Sequence, residues 1–377
     1  MTPLRIALVG CGKIADQHVA AVQRIPDATI VAACDRELLM AEQLAERHGI
    51  AYSSNDVSTM LADVKPDIVH ITTPPAGHFS LALQCLDAGC HVYVEKPFTV
   101  TGPEASRLVE RARERGLHLT AGHNLQHTWE MIEARQLIRD GFLGGPPVHI
   151  ESYYNYSFGD VTYARALLGD REHWIRRLPG GLLHNIISHG IARIAEYLHS
   201  DDPVVVAFGH TSPVLQSLGE SGIIDELRVH ISDGRNTTAY FVFSSQLSPA
   251  VNGVRIYGPT NSIFVDTLRH TLVRSRNRSY KSYLNYFFPP IHEALEQLRN
   301  TRRNVGRFLR ADFHDDSGLK KCIEAFVQAV RGTGEPPVSH REIVLTAVIM
   351  DRIFAQLPRE HSGDGGVLPS AVEHARV

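Results

Sequence analysis

The chain has 377 residues, with 38 Lys and Arg against 41 Asp and Glu, so its formal net charge is −3. That length suits two domains, each able to bury its own core, and the charge excludes the global basic field that nucleic acid needs. Five scattered cysteines without a C-x-x-C pair argue against a disulfide framework and fit reduced thiols. No apolar run reaches the ~18 residues of a membrane span, and no secretory leader precedes the first strand, so a cytoplasmic protein is expected.

The first third alternates short apolar runs with helical patterns. Strands are predicted at Arg5–Val9, Ile30–Cys34, Asp67–Thr72, His91–Val94 and His118–Ala121. Helices are predicted near Ala15–Arg24, Glu37–His48, His78–Ala88 and Pro103–Arg115. Strand runs without polar alternation are those of a parallel sheet covered on both faces, and the βα rhythm means a doubly wound α/β domain. We place it at residues 1–125. After Gly144-Gly145-Pro146-Pro147 the strands follow one another: Val148–Tyr156, Val204–His210, Glu226–Ile231, Thr237–Ser244, Gly253–Tyr257 and Ser262–Val265. Asp233-Gly234 reads as a hairpin turn. With one early helix at Leu183–Leu198 and later ones at Gly318–Arg331 and Arg341–Leu357, residues 126–357 read as a mainly antiparallel α/β domain. Residues 358–377 read as a loose tail.

Gly10-Cys11-Gly12-Lys13-Ile14-Ala15 is a G-x-G-x-x-A sequence at a strand-to-helix junction. The first glycine permits the turn, the second admits a pyrophosphate, and Ala15 allows close helix–strand packing. A second strand ends in Asp35, 23 residues beyond Gly12, where a carboxylate accepts from both ribose hydroxyls of NAD. Asp35 repels a 2′-phosphate and favours NAD; Arg36 beside it leaves NADP open.

In the first domain, the predicted strand His91–Val94 runs into Glu95-Lys96-Pro97. Ligands bind beyond the carboxyl ends of parallel strands, and a lysine there can bind a substrate hydroxyl and stabilise an alkoxide as hydride leaves. Its bland alternative is a surface lysine. The peptide before Pro97 is a candidate for the cis form. Further on, Gly180-Gly181 leads to Asn185 and His189, which share one helix face at i and i+4. A histidine there suits proton removal at neutral pH, with His184 competing for the role. His173-Trp174 offers an indole that either stacks on a sugar or packs at a domain edge. His123 and His127, or His314-Asp315-Asp316, have no third ligand at a recognisable spacing, so no metal site is expected.

Gly10–Ala15, Asp35, Thr72-Thr73-Pro74-Pro75 with His78, Glu95-Lys96-Pro97, and Gly180-Gly181 through His189 stand in one order over nearly the whole chain. In that order and spacing the sequence resembles the Gfo/Idh/MocA oxidoreductases, named for glucose–fructose oxidoreductase and inositol dehydrogenase. The resemblance implies a Rossmann domain followed by a domain with an open, mainly antiparallel sheet, often buried in a homo-oligomer. It implies NAD-dependent oxidation or reduction at a secondary alcohol of a sugar, polyol or nucleotide-linked sugar. Lys96 would bind the reacting hydroxyl and His189 would be the acid/base, with Thr72, Thr73, Pro74, His78, Glu95 and Lys96 lining the nicotinamide; from the residues themselves, Asn185, Trp174 and His123 are the candidates on the substrate side. Asparagine at 185 departs from the aspartate common there, and the stretch from Ala121 to His127 lacks the arginine often seen. A redox-assisted epimerase or glycosidase that retains NAD, or a non-catalytic sensor of dinucleotide or sugar, are the alternatives.

Residues 268–310 stand apart, with ten Lys and Arg and only two acidic residues, Glu293 and Glu296. Aromatics crowd the middle, and apolar residues follow Pro289-Pro290 at near-helical spacing. We expect an inserted helical excursion packing on the second domain or a partner subunit. Peripheral docking on anionic membrane and arginines gripping a substrate diphosphate are the other readings.

Overall fold

A computed structural model describes residues 2–156, 170, 172–217, 219–310 and 318–358. The tail from 359 and the His314-Asp315-Asp316 cluster lie outside the described residues.

The first sheet is parallel, with strands β1 (Leu4–Val9), β2 (Ala28–Cys34), β3 (Tyr52–Ser54), β4 (Ile68–Ile71), β5 (His91–Val94) and β6 (Leu119–Ala121) in the order β3-β2-β1-β4-β5-β6. Helices α1 (Lys13–Val22), α2 (Leu38–His48), α3 (Val57–Val64), α4 (His78–Asp87) and α5 (Gly102–Arg115) connect them. Successive side chains of a strand face opposite sides, so β1 feeds two cores. Ala7 and Val9 pack with Met60, Leu86 and Leu108, whereas Ile6 packs with Val22 and Ile25. Neither β3 nor α3 was predicted: Tyr-Ser-Ser has no apolar run, because an edge strand needs none.

The second sheet has seven strands: β7 (His149–Asn155), β8 (Val204–His210), β9 (Glu226–Ser232), β10 (Thr238–Ser244), β11 (Gly253–Tyr257), β12 (Asn261–Asp266) and β13 (Thr271–Arg276). Their order is β13-β12-β11-β7-β10-β9-β8, antiparallel except for the β7–β10 pair. The Asp233-Gly234 turn joins β9 to β10, and the Asp233 carboxylate accepts from the N–H groups of Arg235, Asn236 and Thr237.

One face of this sheet is covered by α6 (Trp129–Arg139), α7 (Gly181–Ile186) and α8 (Ser188–Ala195). The single helix predicted at Leu183–Leu198 is therefore broken at Ile187. Gly190 explains how closely α8 lies: a Cβ there would stand 2.2 Å from the Phe241 ring. The other face leaves Val204, Val206, Phe208 and Tyr240 exposed. A short helix, α9 (Pro213–Ser217), follows β8.

Residues 268–310 are not wholly a helical excursion. They begin as edge strand β13, whose Leu272 and Val273 are buried between arginines that disguise the pattern. A 3-10 turn (Ser282–Tyr286) and the long α10 (Phe288–Leu309) follow. The chain then returns to the first sheet. Helix α11 (Leu319–Val330) brings Leu319, Ile323 and Phe326 onto Ile6, Ile68 and Tyr93. Helix α12 (His340–Gln356) packs on both α5 and α8.

Candidate active site

The strand order of the first sheet reverses between β1 and β4, and their carboxyl ends, with that of β5, open onto one crevice. Gly10 closes β1 with φ +100°, and a Cβ there would stand 2.7 Å from Thr72 C and Thr73 N. Only glycine lets this loop run against the loop after β4. Thr72 holds the contact from its side, with Oγ1 2.5 Å from Gly10 O and 3.1 Å from Val9 O. Gly12 is the N-cap of α1; no side chain caps the helix, and a Cβ would meet nothing within 4 Å. The amides of that first turn face open space, which suits an anion. Lys13 is exposed, Ile14 half-buried, and Ala15 fully buried. The Asp35 carboxylate accepts from Cys11 N at 2.7 Å and Glu37 N at 3.0 Å, tying the acid to the glycine loop. Arg36 points into solvent, 3.6 Å from Glu37.

Across the crevice, the peptide between Lys96 and Pro97 is cis. Lys96 Nζ donates to the carbonyl of Asn185 at 3.1 Å, so a side chain from the first domain reaches the helix pair of the second. An ammonium has three N–H groups, and this contact uses one. Burial pulls the Lys96 pKa down while the Glu95 charge works against that. His189 lies edge-on to His123 at 6.3 Å and stacked on Tyr154 at 6.0 Å. Burial, and then the nearby Lys96 charge, hold the His189 pKa well below 6.5, so its imidazole is neutral at pH 7. His123 is pushed down to about 4 by burial.

Beneath Lys96 runs a buried chain of polar groups. Glu95 Oε2 accepts from Lys96 N at 3.1 Å, and Oε1 faces His18 Nε2 at 3.0 Å. His18 Nδ1 faces His70 Nδ1 at 3.0 Å. Burial holds His70 far below its ordinary pKa, and two facing ring nitrogens need one donor and one acceptor. His18 Nε2–H donates to the Glu95 carboxylate, and across the His18–His70 contact one Nδ1 donates and the other accepts. Burial alone would raise the Glu95 pKa; the His18 hydrogen bond and the Lys96 charge outweigh it and leave the group lowered, hence ionised. No room is spare here, because a Cβ on Gly122 would stand 2.8 Å from Glu95 Oε1.

The family model described as "Oxidoreductase family, NAD-binding Rossmann fold" (GFO_IDH_MocA) matches residues 4–123. That match covers the parallel-sheet domain, so this part of the chain is similar to the nucleotide-binding part of the Gfo/Idh/MocA oxidoreductases. It is similar to the D-glucoside 3-dehydrogenase of Escherichia coli (strain K12), 35% identical over 167 residues, a match spanning only 44% of either protein. The scyllo-inositol 2-dehydrogenase (NAD(+)) of Bacillus subtilis (strain 168) is 27% identical over 301 residues, 77% of this chain and 82% of that one. Among solved structures, the WlbA dehydrogenase from Bordetella pertussis, in complex with NADH and UDP-GlcNAcA, superposes with a TM-score of 0.73. It is 18% identical and covers 94% of this chain and 95% of its own, a likeness of fold.

Within this site the predicted residues do not all stand in the same place. Pro74 is exposed and Thr73 half-buried at the mouth of the crevice loop. His78, expected to line the nicotinamide, is wholly buried instead, with Nδ1 2.9 Å from Pro97 O and Nε2 2.8 Å from Thr73 O. It bridges the β4 and β5 loops and presents no surface to a ligand. His184, the rival to His189, is buried and stacked on Phe354 at 4.9 Å. Trp174 packs partly on the second core with its ring against His173 at 5.4 Å.

Sequence reasoning missed His18, His70, Tyr154 and Arg193. Arg193, wholly buried four residues beyond His189, donates to Asn252 Oδ1 at 2.8 Å and Thr267 Oγ1 at 3.3 Å. The available signal was a histidine or arginine on an otherwise apolar, core-facing stretch, where such a residue requires a partner.

Proposed function

We propose that this protein is a Gfo/Idh/MocA-type NAD-dependent dehydrogenase or reductase acting on a secondary alcohol of a sugar, polyol or nucleotide-linked sugar. The carrying observation is the reach of Lys96 Nζ from the first domain to Asn185 O, on the helix pair that also bears a neutral, buried His189.

Bound NAD supplies the acceptor or donor of hydride. The open first turn of α1 would hold its pyrophosphate, Asp35 its adenosine ribose, and Thr73, Pro74 and Lys96 would border its reactive end. Lys96 directs its remaining N–H groups at the reacting oxygen and favours the alkoxide. His189 accepts the hydroxyl proton in oxidation and returns it in reduction, its neutral ring suiting the first task. His123 and Asn185 flank the substrate, and Asn185, having no titratable group, orients rather than relays. Trp174 belongs to the packing. The relatives described as glucoside and inositol dehydrogenases support the substrate class, and the exposed apolar outer face of the second sheet supports pairing of subunits there.

A spectrophotometric screen for NADH formation over polyols, glycosides and nucleotide sugars tests the reading. One class should turn over, Lys96→Met should abolish turnover, and NAD should still bind. Normal turnover by Lys96→Met would refute the assignment.

A further inference from the structure

Helix α10 turns its apolar side away from the molecule. Ile291, Leu295, Leu298, Val305 and Leu309 are each more than half exposed, and Phe288 more than a third. Together with Arg302 they recur at alternating spacings of three and four, the seven-residue repeat of a helix–helix seam. The opposite side is already taken. The Asn300 side chain accepts from Leu272 N and donates to Leu272 O of β13, Glu296 pairs with Arg274, and Arg299 and Arg303 pair with Glu133. The helix is thereby clamped with its seam outward. Tyr283, Tyr286 and Phe287, also mostly exposed, extend the patch. Aromatic and aliphatic side chains so exposed present about 1,000 Å² of apolar surface, against roughly 300–600 Å² for the largest patch of a typical monomer. One partner of a standard interface contributes about 800 Å².

We propose that α10 is a second contact between copies of this chain, separate from the outer face of the second sheet, in which two copies pair antiparallel and seam against seam. Arg302 decides the direction. A parallel pair would press it against its own copy inside an apolar seam, where like charges repel at low dielectric. In the antiparallel pair the two rows of the seam meet crosswise. Phe288 faces the partner's Val305, Leu295 faces the partner's Leu298, and Arg302 lays its stem over the partner's Ile291 with its head free to reach the rim. The two-fold axis passes between Glu296 and Gln297. The same arginine disfavours a lipid surface, since it sits in the middle of the line that would enter the acyl region.

Cysteine coupling in the full-length protein tests this, because every native cysteine is buried. Under mild oxidation, Leu295→Cys mixed with Leu298→Cys should form a covalent dimer, as should Phe288→Cys mixed with Val305→Cys. Phe288→Cys alone should not couple, its two copies lying about 25 Å apart along the seam. Leu298→Glu should halve the assembly's mass in sedimentation while NAD binding is unchanged. Self-coupling of Phe288→Cys would overturn the antiparallel pair. Absence of coupling in both mixtures, with the mass of Leu298→Glu unchanged, would overturn pairing through α10. Flotation with phosphatidylserine vesicles, lost in Leu298→Glu and unaccompanied by coupling, would assign the surface to membrane instead.

Discussion

Replacing His18 by alanine leaves the Glu95 carboxylate without the partner on its Oε1. The pair is nearly dry, with side-chain exposures of 0% for His18 and 10% for Glu95. Removing one member of such a pair costs about 3–5 kcal/mol, because the other is left charged and desolvated. Lys96 N still reaches Oε2, which argues for the lower end, about 3 kcal/mol. At roughly 2–4 °C per kcal/mol for domains of this size, the melting temperature should fall by about 6–12 °C at pH 7. The pH dependence has a definite sign. The folded Glu95 pKa lies below its ordinary 4.5, so the stability it contributes is present above that value and lost as the pH falls through the lower folded one. The gap between wild type and His18→Ala should therefore be full at neutral pH and close in acid. His18→Gln, which keeps an N–H donor, should recover part of the loss. Thermal melts of the three proteins at neutral and acid pH suffice. If His18→Ala melts within about 1 °C of wild type at pH 7, the buried chain under Lys96 does not hold the site together.

Gly10→Ala should destabilise the protein by more than about 2 kcal/mol and abolish NAD binding by calorimetry, since its Cβ has no room against Thr72 and a φ of +100° is strained for alanine. Asp35→Ser should weaken NAD and strengthen NADP, moving their ratio of kcat/KM by about tenfold or more, as the repelling carboxylate is removed beside the solvent-facing Arg36, which can meet a 2′-phosphate. In Lys96→Met the imidazole of His189 loses a nearby positive charge, so its pKa, read by NMR, should rise from its low position. With His189 held neutral, kcat/KM for alcohol oxidation should stay level as the pH falls from about 8 to about 6.5 and decline only beyond.

The parallel sheet was legible because its strands carry uniform apolar runs and its helices carry caps and periods. The glycine loop was equally plain, since G-x-G-x-x-A and Asp35 are local features whose meaning does not depend on distant neighbours. The place of His78 was not. Sequence order puts it beside Thr73, but only the fold reveals that Pro97 O meets its other nitrogen and draws the ring inward. His18, His70 and Glu95 lie in three separate stretches of the sequence, and nothing local marks them as one chain. Strand β13 hid for a different reason: Arg274 and Arg276, on the same face as the buried Leu272 and turned to Glu296 and the Phe142 ring, break the apolar alternation that identifies a strand.

The return of α11 to the first sheet has a consequence for synthesis. The side of that sheet bearing Ile6, Ile68 and Tyr93 receives Leu319, Ile323 and Phe326 only after some two hundred further residues have been made. Until then the nascent nucleotide-binding half leaves the ribosome with an oily flank uncovered, the kind of surface that invites chaperones or aggregation. A product truncated before residue 319 inherits that flank permanently.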